Sequence, residues 1–247
     1  MRVTFSVKIV TVTLILSFLM SGCSLLSGPA AKPEVGPAGK PVESKPNPPF
    51  LERLYSAPVE LYDLEATAGV VFEGINKENW NQAQESIANL QNLWQQAKVS
   101  VGEKKGVKEG DEAITKLTAA INDKKATESY ESLIKFMGSV GDIGKSYKLS
   151  PISDIIAVGN AIRNVSFYVE DKDWQKAASK VKELQGTWGQ VKPSMEQVGI
   201  LGEITKTHAL VNQMRDAVNA ENKGSFLDLQ ANINESMGRI RNFFRGK

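Results

Sequence analysis

The sequence predicts an all-α protein of two tandem antiparallel four-helix bundles, carried behind a signal peptide and a proline-rich tether. Three observations lead there. After Phe50, apolar residues recur at three- and four-residue steps with few strand signals. A seam marked by two tryptophans occurs twice, about 94 residues apart. Seven of the ten prolines precede Phe50, which leaves long stretches behind them free for helices.

The seam is Trp80, Ala83, Ile87, Leu90, Trp94, Ala97 and Val101, and it returns as Trp174, Ala177, Val181, Leu184, Trp188, Val191 and Met195. A helix turns about 100° per residue, so tryptophans fourteen apart share a face. Trp80, Trp94, Trp174 and Trp188 are therefore expected to anchor the two cores, each burying ~150–250 Å². Stacking of a ligand on these indoles is the alternative.

The 247 residues, 41% of them apolar, suffice for one or two ordinary domains. Lys plus Arg number 30 against 28 Asp plus Glu, and loss of Arg2 and Lys8 with a signal peptide balances them. A balanced chain lacks the broad positive field of a nucleic-acid binder, so no nucleic acid is expected as a partner. Cys23 is the sole cysteine and His208 the sole histidine, which removes intrachain disulfides and most metal sites and nucleophile–base pairs.

Arg2 and Lys8 precede an apolar run from Ile9 to Met20. About twelve residues is short of the ~20 a spanning helix requires, and the layout is that of a secretory signal. The segment Leu19-Met20-Ser21-Gly22-Cys23 resembles the lipobox of bacterial lipoproteins, with Met20 where that family more often has Leu. The resemblance implies cleavage between Gly22 and Cys23, diacylglyceryl transfer to the Cys23 thiol, and the membrane as a partner through the lipidated Cys23. Two or more acyl chains hold a protein on a bilayer essentially permanently. The implied location is extracytoplasmic, on the outer face of the cell membrane in a Gram-positive cell or on the outer membrane in a Gram-negative one.

Residues 1–22 are thus read as signal peptide, 23–50 as lipidated cysteine and tether, 51–148 as helical repeat 1 and 149–247 as helical repeat 2. The tether holds Pro29, Pro33, Pro37, Pro41, Pro46, Pro48 and Pro49. Extended at ~3.1 Å per residue, it reaches roughly 80 Å at most.

The first helix of repeat 1 is expected from Pro58 to Gly74 on the stripe Leu61, Leu64, Ala68, Val71, Ile75. The second runs from about Glu78 to Val101, and Gly102 to Gly110 reads as a loop. The third carries Ile114, Leu117 and Ile121. The fourth, capped at Thr127, carries Tyr130, Leu133, Ile134, Met137 and Val140, with Gly138, Gly141 and Gly144 at a fraying end. Repeat 2 opens at Ser150-Pro151 with Ile155, Val158, Ile162, Val165 and Val169, each 94 residues after its counterpart. Its second helix is expected over about Asp171 to Lys192, ended or kinked by Pro193. Its third carries Ile204, Val211, Met214 and Val218. Its fourth, capped by Ser225, carries Phe226, Leu229, Ile233, Met237 and Ile240, with an offset of 97 at Asn122/Asn219 falling to 96 at Tyr130/Phe226.

Asp173-Trp174, Ala177, Leu184, Trp188 and His208 together resemble an uncharacterised family of small helical bacterial envelope domains without established activity. Carboxylates such as Glu109, Asp111 and Glu112 sit near a helix N-terminus, where the dipole explains them. The C-terminal Arg239, Arg241, Arg245 and Lys247 read as charge opposing the dipole of the last helix, with lipid headgroups as the alternative. No phosphate loop, calcium loop or nucleophile–base set is recognisable, so no catalytic residue, metal ligand or cofactor is assigned. The expected role is non-catalytic binding or scaffolding at the cell envelope, with another envelope protein as partner. The alternative is a receptor for a small solute or cofactor held between the two bundles.

Overall fold

The computed structural model describes residues 57–196 and 200–246. Eight helices fill them, and no strand occurs among the described residues: α1 Val59–Asn76, α2 Trp80–Val101, α3 Val107–Asn122, α4 Ala126–Gly144, α5 Ile152–Glu170, α6 Trp174–Glu196, α7 Leu201–Asn219 and α8 Lys223–Arg245. Helices α1 to α4 close one four-helix bundle and α5 to α8 a second. The signal peptide, Gly22, Cys23, the tether and Lys247 lie outside the described residues.

The duplication is written in the backbone. Glu78, Lys172, Lys124 and Glu221 take positive φ of 49°, 58°, 55° and 51°, one at the same turn of each hairpin. In each hairpin the next N–H reaches back five residues, as Asn79 to the Gly74 carbonyl (2.8 Å) and Asn222 to that of Ala217 (2.9 Å). This left-handed C-cap ordinarily favours glycine, and here Glu or Lys fills it.

The turn then supplies the cap of the next helix. Asn79 accepts from the Gln82 N–H, Asp173 from Lys176 and Asn222 from Ser225. The expected caps Thr127 and Ser225 are corrected accordingly: the fourth helices start after Lys125, which makes no cap, and after Asn222. The offset also stays at 97 rather than falling to 96. Lys124/Glu221 and the buried pairs Phe136/Ile233, Ser139/Ser236, Val140/Met237 and Ile143/Ile240 all keep it.

Three other expectations shift. Helix α3 begins at Val107, so the loop ends before Gly110. Pro193 does not end α6, because Val191 and Met195 are both buried and hold the last turn on the core. Gly141 and Gly144 are not frayed. They are buried where α4 meets α5, and a Cβ on Gly141 would sit 3.5 Å from Ile156.

One continuous apolar core runs through both repeats, which belong to a single compact unit. Leu61, Leu64, Ala68, Val71 and Ile75 are buried, as are their five counterparts on α5. Trp94 and Trp188 are 0% and 1% exposed. Trp80 and Trp174 are not core anchors: each opens its helix and stays half-buried, packed against the core edge. The first turn of a helix lies at the end of a bundle, where the neighbouring helices have already turned away.

Small residues set the closest contacts. A Cβ on Gly110 would fall 2.7 Å from the Trp94 ring, whereas one on Gly138 would meet nothing within 4 Å. Gly110→Ala should therefore destabilise by about 1–3 kcal/mol through overpacking. Gly138→Ala should stabilise by roughly 0.5–1 kcal/mol through helix propensity. Urea denaturation of the two variants checks both signs.

Candidate functional site

Helices α1 and α5 are the same element of the repeat, and they pack on each other where the bundles join. At one position α1 has Glu65 and α5 has Gly159; one turn on, α1 has Gly69 and α5 has Arg163. Each helix thus contributes one charge and one glycine. Arg163 donates from Nη1 to Glu65 Oε1 (3.1 Å) and from Nη2 to Oε2 (3.0 Å), with a further bond from Nη2 to Asn160 (2.8 Å). Both side chains are buried.

The carboxylate occupies the space that Gly159 leaves. A Cβ at that position would lie 2.1 Å from Glu65 Oε1. Nothing comes within 4 Å of the corresponding point on Gly69. One glycine is filled and the other is left open.

Two further contacts between the bundles are also repeat-equivalent, and they differ more sharply. Helix α4 seals against α5: Tyr130 stacks on Phe167 with centroids 3.9 Å apart and planes 3° apart, and its hydroxyl donates to Asn164 Oδ1. Helix α8 touches α1 only sparsely. At the offset of 97, the positions of Tyr130, Leu133, Met137 and Gly144 are held by Leu227, Gln230, Asn234 and Arg241. At the offset of 94, those of Asn164 and Phe167 are held by Val70 and Glu73. Polar and flexible side chains replace an aromatic and glycine contact.

The result is a groove. Adjoining cavities of about 230 Å³ and 520 Å³ share Gly69, Phe72, Glu73, Gln230 and Asn234. Helix α8 is strapped across them at both ends, by Arg245 to Asp63 (2.7 Å) and by Lys223 to Glu170 (2.6 Å). Between the straps it stands off α1. Arg163 and Arg241 line the smaller cavity, and two buried polar atoms on the lining lack hydrogen bonds, Arg163 Nε and Asn76 Oδ1. Burial lowers the pKa of Arg241, with the positive charges of Arg163 and Arg245 adding to the effect and Glu65 and Asp63 opposing it.

The residues singled out by sequence lie elsewhere. Trp94 Nε1 donates to Asp111 Oδ1 (2.8 Å), which also accepts from Lys98 (2.8 Å). Asp111 thus fixes an indole, which the dipole reading did not foresee. At the equivalent position repeat 2 has His208, exposed and 3.4 Å from Asn212, and Trp188 Nε1 is left without a partner. Of the C-terminal cations, Arg239 pairs with Glu203 (2.6 Å) and Glu235, Arg245 pairs with Asp63, and Arg241 faces the groove. None of these three serves merely to oppose the dipole.

Among the described residues no group of three or more His, Cys, Asp or Glu is arranged to hold a metal ion, and no helix is long and apolar enough to cross a membrane. No protein-family model, curated protein or solved structure matches the chain.

Removing one partner of a buried pair strands the other charge. Glu65→Ala and Arg163→Ala should each cost about 3–5 kcal/mol, while the double variant Glu65→Leu/Arg163→Met should cost much less than their sum. A denaturant double-mutant cycle checks this. The pH dependence concerns Asp111. Burial raises its pKa, but hydrogen bonds from Lys98 and Trp94 outweigh burial and hold it below the ordinary carboxylate value. A depressed folded pKa means stability that is full above about pH 4 and fades as pH falls through the folded value. Asp111→Asn should flatten the stability profile in that acid window.

Proposed function

We propose that this chain is a lipid-anchored, non-catalytic binding protein of the cell envelope, whose working part is the groove between α1 and α8. Of the two forms such binding takes, scaffold or small-solute receptor, the groove favours the receptor. The observation that carries the reading is the difference between two repeat-equivalent contacts: α4 on α5 is sealed by aromatic stacking, and α8 meets α1 through an ion pair at one end only, Arg245 with Asp63, while Lys223 at its other end pairs with Glu170 of α5.

Stability alone supplies no reason to keep Gln230, Asn234 and Arg241 where the equivalent helix uses Leu133, Met137 and Gly144. Apolar residues there would bury more surface, at roughly 25 cal/mol per Å². Concave sites of a few hundred Å³ with a small number of polar groups on an apolar lining are where small ligands bind. The lipobox resemblance at Leu19 to Cys23 supports the anchor, and the proline-rich stretch behind it supports a spacer that holds the groove clear of the bilayer.

A photo-crosslinking side chain placed at Val70, on the rim of the groove, or at Val99, 88% exposed elsewhere, tests this in intact cells. Low-mass adducts at 70 and not at 99 are expected, and Gly69→Leu, which fills the open space, should remove them. Protein adducts at 70 would favour the scaffold instead. Cys23→Ala should abolish incorporation of labelled palmitate and release the protein from membranes on fractionation.

A further inference from the structure

We infer that the groove takes a small organic carboxylate, whose carboxylate group is bound by Arg241; this rests on the receptor reading above. Charge pairing singles out the residue. Along the groove Glu65 is paired with Arg163, Glu73 with Lys77 and Glu170 with Lys223. Among the described residues Arg241 is the one charged lining residue with neither an ion pair nor a hydrogen bond.

A half-buried guanidinium presents five donors in a planar fork, the shape that meets a carboxylate with two parallel bonds. Left without an acceptor in a partly desolvated groove, it loses hydration that nothing on the chain replaces. The lowered pKa of Arg241 has that cause. Beside it, Arg163 is 5% exposed with both Nη atoms engaged by Glu65, so Arg241 is the guanidinium left for a ligand.

The valence of the ligand follows from the same pairing. One uncompensated cation matches one negative charge. A dianion such as phosphate would leave surplus negative charge close to Glu65 and Glu73, and a cation would find every carboxylate already taken. The body of the ligand is set by the rest of the lining. Gln230 and Asn234 stand on the face of α8 that carries Arg241, at steps of four and seven, and offer amide hydrogen bonds. Val70, Phe72 and Met237 offer apolar surface. The ligand class is a carboxylate with an apolar side group and an amide or hydroxyl, on the scale of a blocked amino acid.

Isothermal titration of the full chain in a non-ionic detergent tests the inference with N-acetyl-leucine, benzoate, the neutral N-acetyl-leucinamide and inorganic phosphate. The two carboxylates are expected to bind at least tenfold more tightly than the amide or phosphate. Arg241→Gln should weaken carboxylate binding at least tenfold, and Arg241→Lys should restore part of it. Arg215→Gln, on an exposed residue paired with Asp216 on α7, should change nothing. Both Arg241 substitutions keep a good helix former at a half-exposed position, and circular dichroism confirms folding. Equal binding of the amide, preference for phosphate, or full carboxylate binding by Arg241→Gln would each overturn the inference. So would the absence of heat from every probe. If low-mass adducts still form at position 70, the ligand class is wrong and the groove remains a binding site; if they do not, the receptor reading fails with it.

Discussion

The arrangement of the two bundles depends on one interaction, the buried pair of Glu65 and Arg163. Neither charge tolerates an apolar interface alone, and the fork-to-fork geometry with a further bond to Asn160 engages both Nη atoms of the guanidinium and leaves Nε without a partner. A pair of this kind is a poor source of net stability compared with well-packed hydrophobic residues, because desolvation offsets most of the attraction. It is directional instead. Sliding α5 along α1 by one turn would bring Glu65 opposite another residue and bury two unpaired charges, so the register of the bundles is set far more sharply than apolar packing would set it. Gly159 makes the geometry available, since any Cβ there would collide with the carboxylate.

Once the register is set, the helices flanking α1 and α5 meet the opposite bundle in equivalent ways, and the chain treats the two meetings differently. Tyr130 on Phe167 and the glycine contact at Gly141 let α4 lie close to α5. On the other side, long polar side chains occupy the equivalent face of α8, and its ends are tied down by Arg245–Asp63 and Lys223–Glu170. A helix held at both ends and spaced off in the middle is what a groove requires. The straps also explain why α8 can lack a close partner along its length without leaving the fold: its other face, through Phe226, Ile233, Ile240 and Phe244, is buried in the core of its own bundle.

Much of this fold is legible in the sequence, because the signal is repeated. The stripes of α1 and α5 are readable residue by residue at a constant offset, and so are the heptad positions of α2 and α6. The turns were harder to read. Their left-handed residues are Glu78, Lys124, Lys172 and Glu221, none of which announces positive φ as glycine would, and of the true caps Asn79 falls inside the helix expected from Glu78 and Asn222 before the expected cap Ser225. Tryptophan identity was also a poor guide to depth. Trp94 and Trp188 lie in mid-helix and are buried, while Trp80 and Trp174 belong to the same stripe but sit where the bundle ends.

The groove escapes the sequence for a more general reason. Similarity between the repeats is what a sequence displays most plainly, and a residue present in one copy, such as His208, stands outside it. Similarity reports what both copies must do, which is to fold: Ala83/Ala177, Leu90/Leu184 and Trp94/Trp188 all face a core. A fused pair of identical copies would join through two identical contacts, leaving no unique place for a ligand. Asymmetric binding needs the copies to differ at the contact itself, at Gly69 against Arg163, Glu73 against Phe167 and Arg241 against Gly144. Two of those differences exchange a small residue for a charged one and the third exchanges an aromatic for a carboxylate, and each is invisible to a periodicity that counts only apolar positions. In a duplicated chain the shared pattern marks the core, and the broken pattern at the contact between copies is where to look for function.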